Sequence, residues 1–181
     1  VKLSKEDIEE LKEENIYISH CPISNLKLGC GIANVSYMNE QGIVVSLGAD
    51  GQGSGSSLDL FEVMKYACLL QKGICENPEL LPAYEALKMA TINGAKALNL
   101  EDKIGIIEHG KQADIIMINM DSSVTTPVNN IFSEIVYNIK GTNVEMTMVN
   151  GKILMEDGKL KYKDEKEVYK KCEAIIQKIG N

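Results

Sequence analysis

Residues 43–57 read Ile43-Val44-Val45-Ser46-Leu47-Gly48-Ala49-Asp50, then Gly51-Gln52-Gly53-Ser54-Gly55-Ser56-Ser57, and this stretch decides how the remainder is understood. Ser46 aside, everything ahead of the carboxylate is apolar or small, and β-branched Ile43, Val44 and Val45 lead. That pattern predicts a buried strand. Asp50 then stands where the strand gives way to a Gly/Ser-rich loop. In parallel α/β proteins the loops at the carboxyl ends of strands converge over the strand tips, so ligands and catalytic groups collect there. Asp50 is therefore the first candidate for a chemical role. A plainer role fits the same residue, since Asp before Gly opens turns and caps helices. The segment by itself leaves both open.

Working outward toward the amino terminus, Ser4 followed by Asp7 resembles a capping box and predicts a helix with Ile8 and Leu11 on one face, ending near Asn15. Ile16–Ser19 reads as a short strand closed by His20-Cys21-Pro22. A loop through Asn25 and Gly29-Cys30-Gly31 leads into a helix from about Ile32 to Glu40, stopped by Gly42. Helix, strand, helix, strand is the order expected of parallel strands joined by crossover helices.

On the carboxyl side, apolar positions 60, 61, 63, 64, 67, 68 and 70 give Leu58–Lys72 a broad buried helical face. Pro82 suits the first turn of a further helix running to about Leu98, and Gly94 with its small neighbours predicts close packing. From Lys103 the texture changes. A short strand, a turn at His109-Gly110 and a strand Asp114–Asn119 are expected. Val144–Val149, Asn150-Gly151 and Lys152–Met155 then form a hairpin with an Asn-Gly turn, and Asp157-Gly158 marks another turn. A polar helix from about Asp164 to Ile179 closes an otherwise antiparallel β segment.

Composition sets limits on function. The 181 residues suffice for one ordinary domain or somewhat more, and 44% are apolar, without Trp and with two Phe. A net charge of −7 argues against nucleic-acid backbones as partners. The basic residues Lys161, Lys163, Lys166, Lys170 and Lys171 alternate with acids, as on a solvated helix face. There is neither an 18-residue apolar run nor an opening signal peptide, so no membrane partner is expected and the cytoplasm is the expected location. Cys21, Cys30, Cys68, Cys75 and Cys172 form no CxxC pair, which speaks against a disulfide framework or thiolate zinc site. Cys68 and Cys172 lie in helical patterns and are expected as core fillers. His20 and His109 are the two histidines, the latter expected at a surface turn. The chain opens on Val1, as a truncated or processed polypeptide would.

Several ordered segments together resemble the carboxy-terminal part of the metal-dependent amidohydrolase superfamily, nearest its S-adenosylhomocysteine/methylthioadenosine deaminase and chlorohydrolase branch. They are Ser19-His20-Cys21-Pro22 with Ser24-Asn25-Leu26-Lys27-Leu28, Gly31-Ile32-Ala33, and Leu47-Gly48-Ala49-Asp50-Gly51. Ala90-Thr91 with Gly94-Ala95-Lys96-Ala97-Leu98, Ile104-Gly105 with Gly110-Lys111-Gln112-Ala113-Asp114, and Val149-Asn150-Gly151-Lys152 continue the series.

The resemblance implies an α/β fold: the last two strands of a partial (β/α)8 barrel of TIM type, part of a small antiparallel β-sandwich, and a C-terminal helix. It divides the chain into barrel at 1–102, sandwich segment at 103–160 and terminal helix at 161–181. It implies that Asp50 is the carboxylate that both binds the metal and transfers protons, and that Ser54 and His20 are substrate contacts. His20 has a second reading, as a structural residue bonding loop backbone. The cofactor implied is a divalent metal, zinc foremost, in the intact enzyme, with none expected on this chain alone because the family's histidine ligands have no counterpart here. The expected function is deamination of a purine nucleoside or related heterocycle, with the isolated chain inactive. Hydrolysis of a carbon–chlorine or amide bond, or a non-catalytic interaction module, are the alternatives. The expected partners are a small-molecule substrate and either the missing N-terminal half or a second copy. Departures from the family pattern are Ala49 for the usual Thr, Asn34 for a usual Pro, and the glycines of the loop after Asp50, which are expected to loosen it.

Overall fold

A computed structural model describes residues 2–14 and 16–179. The chain is mixed α/β and clusters into two compact units, residues 1–111 with 120–141, and residues 112–119 with 142–181.

In the first unit, α1 (Lys5–Leu11) opens on the expected capping box. The Ser4 hydroxyl accepts the Asp7 N–H at 3.1 Å, and the Asp7 carboxylate accepts the Ser4 N–H at 2.8 Å. The helix buries Ile8 completely and stops at Leu11, earlier than expected. Asn15, the expected end, lies outside the described residues. Strand β1 (Tyr17–His20) follows, then α2 (Pro22–Lys27), a helix the sequence reading had placed in a loop. Its ring-locked Pro22 sits in the first turn, where the missing N–H costs nothing. Helix α3 (Val35–Glu40) starts later than expected because Asn34 caps it, its side chain accepting the Tyr37 N–H at 3.2 Å.

Strand β2 (Val44–Leu47) lies parallel to β1 in the register Tyr17↔Val44 through His20↔Leu47. The Ser46 hydroxyl donates to the Ile18 carbonyl at 3.1 Å, so this interior serine needs no water. After the short α4 (Gln52–Gly55) comes α5 (Leu60–Cys75), later at both ends than expected, which turns Phe61, Val63, Met64, Ala67 and Cys68 inward as its spacing requires but leaves Leu60 of the expected face exposed. Buried Gln71 on the same face has both its amide nitrogen and its amide oxygen bonded. It donates to the Ala33 carbonyl at 2.8 Å and accepts the Ser36 N–H at 3.2 Å.

The single helix expected over 82–98 is two, α6 (Ala83–Ala90) and α7 (Ile92–Ala97). The break is at Thr91, whose φ/ψ of −125/−95 is not helical and whose hydroxyl back-bonds to the Leu87 carbonyl at 2.7 Å. Asn93 on α7 donates to the Val45 carbonyl at 2.9 Å, tying the helix to β2. The close packing expected around Gly94 and its small neighbours forms at Ala95, which is buried against Gly105, and not at Gly94 itself. A Cβ at Gly94 would meet nothing within 4 Å, whereas one at Gly105 (φ +101) would stand 2.8 Å from the Ala95 Cβ. Helix α8 (Ile131–Tyr137), absent from the sequence reading, is capped by Asn130 and buries Val136.

The second unit is an antiparallel sheet of β3 (Ile115–Ile118), β4 (Val144–Val149), β5 (Lys152–Glu156) and β6 (Lys159–Leu160), in that spatial order. Asn150 (φ +49) and Gly151 (φ +73) are both left-handed, the backbone that a two-residue hairpin needs to match strand twist. Asp157 and Gly158 repeat the device between β5 and β6. The strand expected before His109 does not form, although the turn at His109-Gly110 does. Helix α9 (Glu165–Ile179) has no buried residue, so Cys172 is exposed rather than a core filler, while Cys68 is fully buried as expected. Among the described residues, no helix is long and apolar enough to cross a membrane.

Candidate functional site at the end of strand β2

Asp50 sits three residues beyond the end of β2, exposed, with a left-handed φ of +58. Asp tolerates that backbone better than bulkier residues do, because its short side chain can bond locally. Here one carboxylate oxygen accepts the Gly51 N–H at 2.7 Å and the other accepts the Ser24 hydroxyl at 2.7 Å. Ser24 belongs to α2, 26 residues earlier, and is buried. These bonds favour the ionised acid. The Ser24 hydroxyl holds the Asp50 carboxyl below the usual carboxylate range, the Gly51 N–H adds to this, burial opposes it slightly, and the Ser54 hydroxyl contributes a little more. Asp50 is therefore ionised near neutrality.

The backbone around it is tightly specified. The Gly48 N–H donates to the His20 carbonyl at 2.9 Å, extending the parallel ladder past Leu47. Any Cβ on Gly48 would stand 2.8 Å from the Ser19 hydroxyl and 3.0 Å from the Cys21 sulfur. The Gly/Ser stretch after Asp50 is a turn of helix, α4, where a loosened loop was expected. Gly55 explains the difference: its Cα faces the Ala49 carbonyl so closely that a Cβ would lie 2.4 Å from that oxygen. Lys27, at the end of α2, donates to the Gly53 carbonyl at 3.0 Å and to the Ser56 hydroxyl at 2.5 Å.

His20 ends the neighbouring strand. It is 1% exposed, and neither ring nitrogen has a hydrogen-bond partner among the described residues. The backbone bond expected of a structural histidine is therefore not formed there. Burial pushes its pKa down to about 4, so the ring is neutral near pH 7. His109 lies exposed in its turn. Of the candidates, the structure brings Asp50 and Ser54 together and adds Ser24, which the sequence presented only as part of a motif.

The donor set determines whether a metal fits. Each Asp50 oxygen keeps lone-pair capacity beyond its one protein bond, and a carboxylate at a strand end is an ordinary zinc ligand. Among the described residues, however, no three His, Cys, Asp or Glu side chains stand close enough to hold a metal ion. The residues present supply one ligand and not a centre.

The 5'-deoxyadenosine deaminase of Methanosarcina acetivorans is 48% identical over 156 residues, which is 86% of this chain and 36% of that protein. The 5-methylthioadenosine/S-adenosylhomocysteine deaminase of Moorella thermoacetica is 44% identical over 155 residues, with the same coverage. The chain thus spans little more than a third of these relatives. Among solved structures, a zinc-bound adenosine deaminase from Xanthomonas campestris superposes with a TM-score of 0.94 at 29% identity, covering 98% of this chain and 40% of that one. The zinc complex of atrazine chlorohydrolase from Arthrobacter aurescens TC1 gives 0.89 at 27% identity, covering 97% and 39%. The sequence profile of the Amidohydrolase family matches residues 1–154, and the chain belongs to that family.

Proposed function

We propose that this chain is the carboxy-terminal part of a metal-dependent aminohydrolase that releases ammonia from adenosine derivatives, with Asp50 as its proton-transferring carboxylate. In this reading, residues 1–102 close the barrel with β1 and β2 as its last strands. Residues 103–160 contribute to the flanking sandwich, and 161–181 form the terminal helix. The observation that carries the proposal is a carboxylate beyond the end of a parallel strand, ionised and held by Ser24 and Gly51, in a chain of this family.

The chemistry follows from those residues. A divalent ion, zinc foremost, supplies when bound a water of lowered pKa, and Asp50 is the ligand this chain offers to it. Asp50 takes a proton from the attacking water as its oxygen bonds to the ring carbon bearing the amine. It gives that proton to the departing nitrogen as the carbon–nitrogen bond breaks, so ammonia leaves and the carboxylate is regenerated. Ser54, on the helix turn that follows Asp50, is the substrate contact proposed from that turn. Neutral His20, with both nitrogens unspent, is proposed as the contact from β1. The remainder of the enzyme is the partner this reading requires.

The test supplies the chain with the amino-terminal remainder of the Methanosarcina relative, by co-expression or fusion, and measures ammonia release from S-adenosylhomocysteine, 5'-methylthioadenosine and 5'-deoxyadenosine. Turnover on at least one is expected. A folded, zinc-loaded assembly that releases no ammonia refutes the reading. The chlorohydrolase neighbour gives a second reading, so atrazine belongs in the same panel with chloride as the readout.

A further inference from the structure

The geometry points to α2 as a two-point clamp on the working carboxylate, with Ser24 and Lys27 as positioning residues. Three residues apart on one helix, they face the same way. Ser24 reaches the acid and Lys27 reaches the segment just after it. The inference rests on Asp50 being the working carboxylate.

Ser24 is 4% exposed, and a buried hydroxyl is retained only where it finds a partner. Its partner is the Asp50 oxygen that Gly51 does not engage. With one oxygen tied by an N–H and the other by an O–H, the carboxylate cannot rotate. Its remaining lone pairs then point in fixed directions, which is what proton transfer to a bound substrate needs. Lys27 spends its ammonium on two neutral acceptors, the Gly53 carbonyl and the Ser56 hydroxyl. Gly53 lies within the α4 turn and Ser56 caps its end, and the turn's own bonds run from the Gly55 N–H to the Gly51 carbonyl at 2.9 Å and from the Ser56 N–H to the Gln52 carbonyl at 3.0 Å. Asp50 (φ +58) and Ser56 (φ +66) are left-handed on either side of the turn, a backbone that non-glycine residues keep only when neighbours over-determine it. Lys27 closes that requirement at one end, and Ser24 at the other. The glycine-rich loop is held by its contact with α2 as well as by the glycine that its close approach to the Ala49 carbonyl requires.

The test uses the full 181-residue chain, isotope-labelled, at pH 7. S24A should move the Asp50 carboxyl carbon resonance and the Gly51 amide resonance while leaving β2 amides in place. S24C, which keeps the volume with a weak donor, should do the same, and S24T should restore both signals. K27M should leave the Asp50 signal alone and speed amide exchange at Gly55 and Ser56 by about tenfold or more, with K27R restoring protection. In the assembled enzyme, S24A should lower kcat about tenfold or more with KM within about twofold, and S24T should recover it. Unmoved Asp50 and Gly51 signals in both S24A and S24C overturn the clamp, as does unchanged exchange in K27M. If the clamp signals move as expected but D50N keeps full ammonia release, the functional reading falls and the clamp stands. If D50N is inactive and the S24A signals stay still, only the clamp falls.

Discussion

Acidification from pH 7 to 4.5 should strip the chain of about 2.5 kcal/mol of stability through one side chain, His20. Burial holds the folded ring's pKa at about 4, against 6.5 for a free imidazole. The gap of about two and a half pH units, at ~1.4 kcal/mol each, totals about 3.5 kcal/mol, most of which is lost by pH 4.5. Because the folded value is depressed, the unfolded chain binds the extra proton between pH 6.5 and 4, so stability is fully present above 6.5 and drains away toward 4. The window is separable from carboxylate effects. Ser4 holds Asp7, Lys12 holds Glu9 and Ser24 holds Asp50 below their ordinary values of 3.8, 4.5 and 3.8, so their losses fall below about pH 4.5. Urea unfolding followed by far-ultraviolet circular dichroism at half-unit pH steps gives the curve, with a slope near ~1.4 kcal/mol per pH unit across the window. H20Q should flatten it, whereas H109Q, in an exposed turn, should not. A level curve between pH 6.5 and 4.5, or a slope that survives in H20Q, refutes the reasoning.

Other perturbations have equally definite outcomes. G55A drives a Cβ to 2.4 Å from the Ala49 carbonyl and should cost about 1–3 kcal/mol in urea unfolding, opposite in sign to an ordinary helix Gly→Ala change, which stabilises. Q71A strands the Ala33 carbonyl and the Ser36 N–H, and should cost about 2–3 kcal/mol with faster exchange at Ser36. S4A removes the α1 capping box and should cost about 1 kcal/mol, with fraying visible as faster amide exchange at Asp7.

What the sequence disclosed tracks the range of the forces involved. The strand leading to Asp50, the Ser4 capping box and the Asn150-Gly151 hairpin are written in neighbouring residues, and they form as read. The break at Thr91 was not visible because one hydroxyl bond to Leu87 decides it within an otherwise helical pattern. Helix α8 went unread because it lies in a stretch given no pattern, although Asn130 was a legible cap. Of the site, Asp50 was apparent from its place after a strand. Ser24 was not, since its partner lies 26 residues away and no periodicity encodes that contact. The tightness of the loop was misjudged for the same reason. Glycine was read as freedom, whereas Gly55 is required because the Ala49 carbonyl leaves no room for a Cβ.

In the proposed reaction the Asp50 carboxylate moves the proton. The most direct measurement is ammonia release by the assembled enzyme carrying D50N, compared with its parent at equal zinc content. A loss of about 100-fold to 10,000-fold with the fold intact is the predicted result; release within about twofold of the parent contradicts the account.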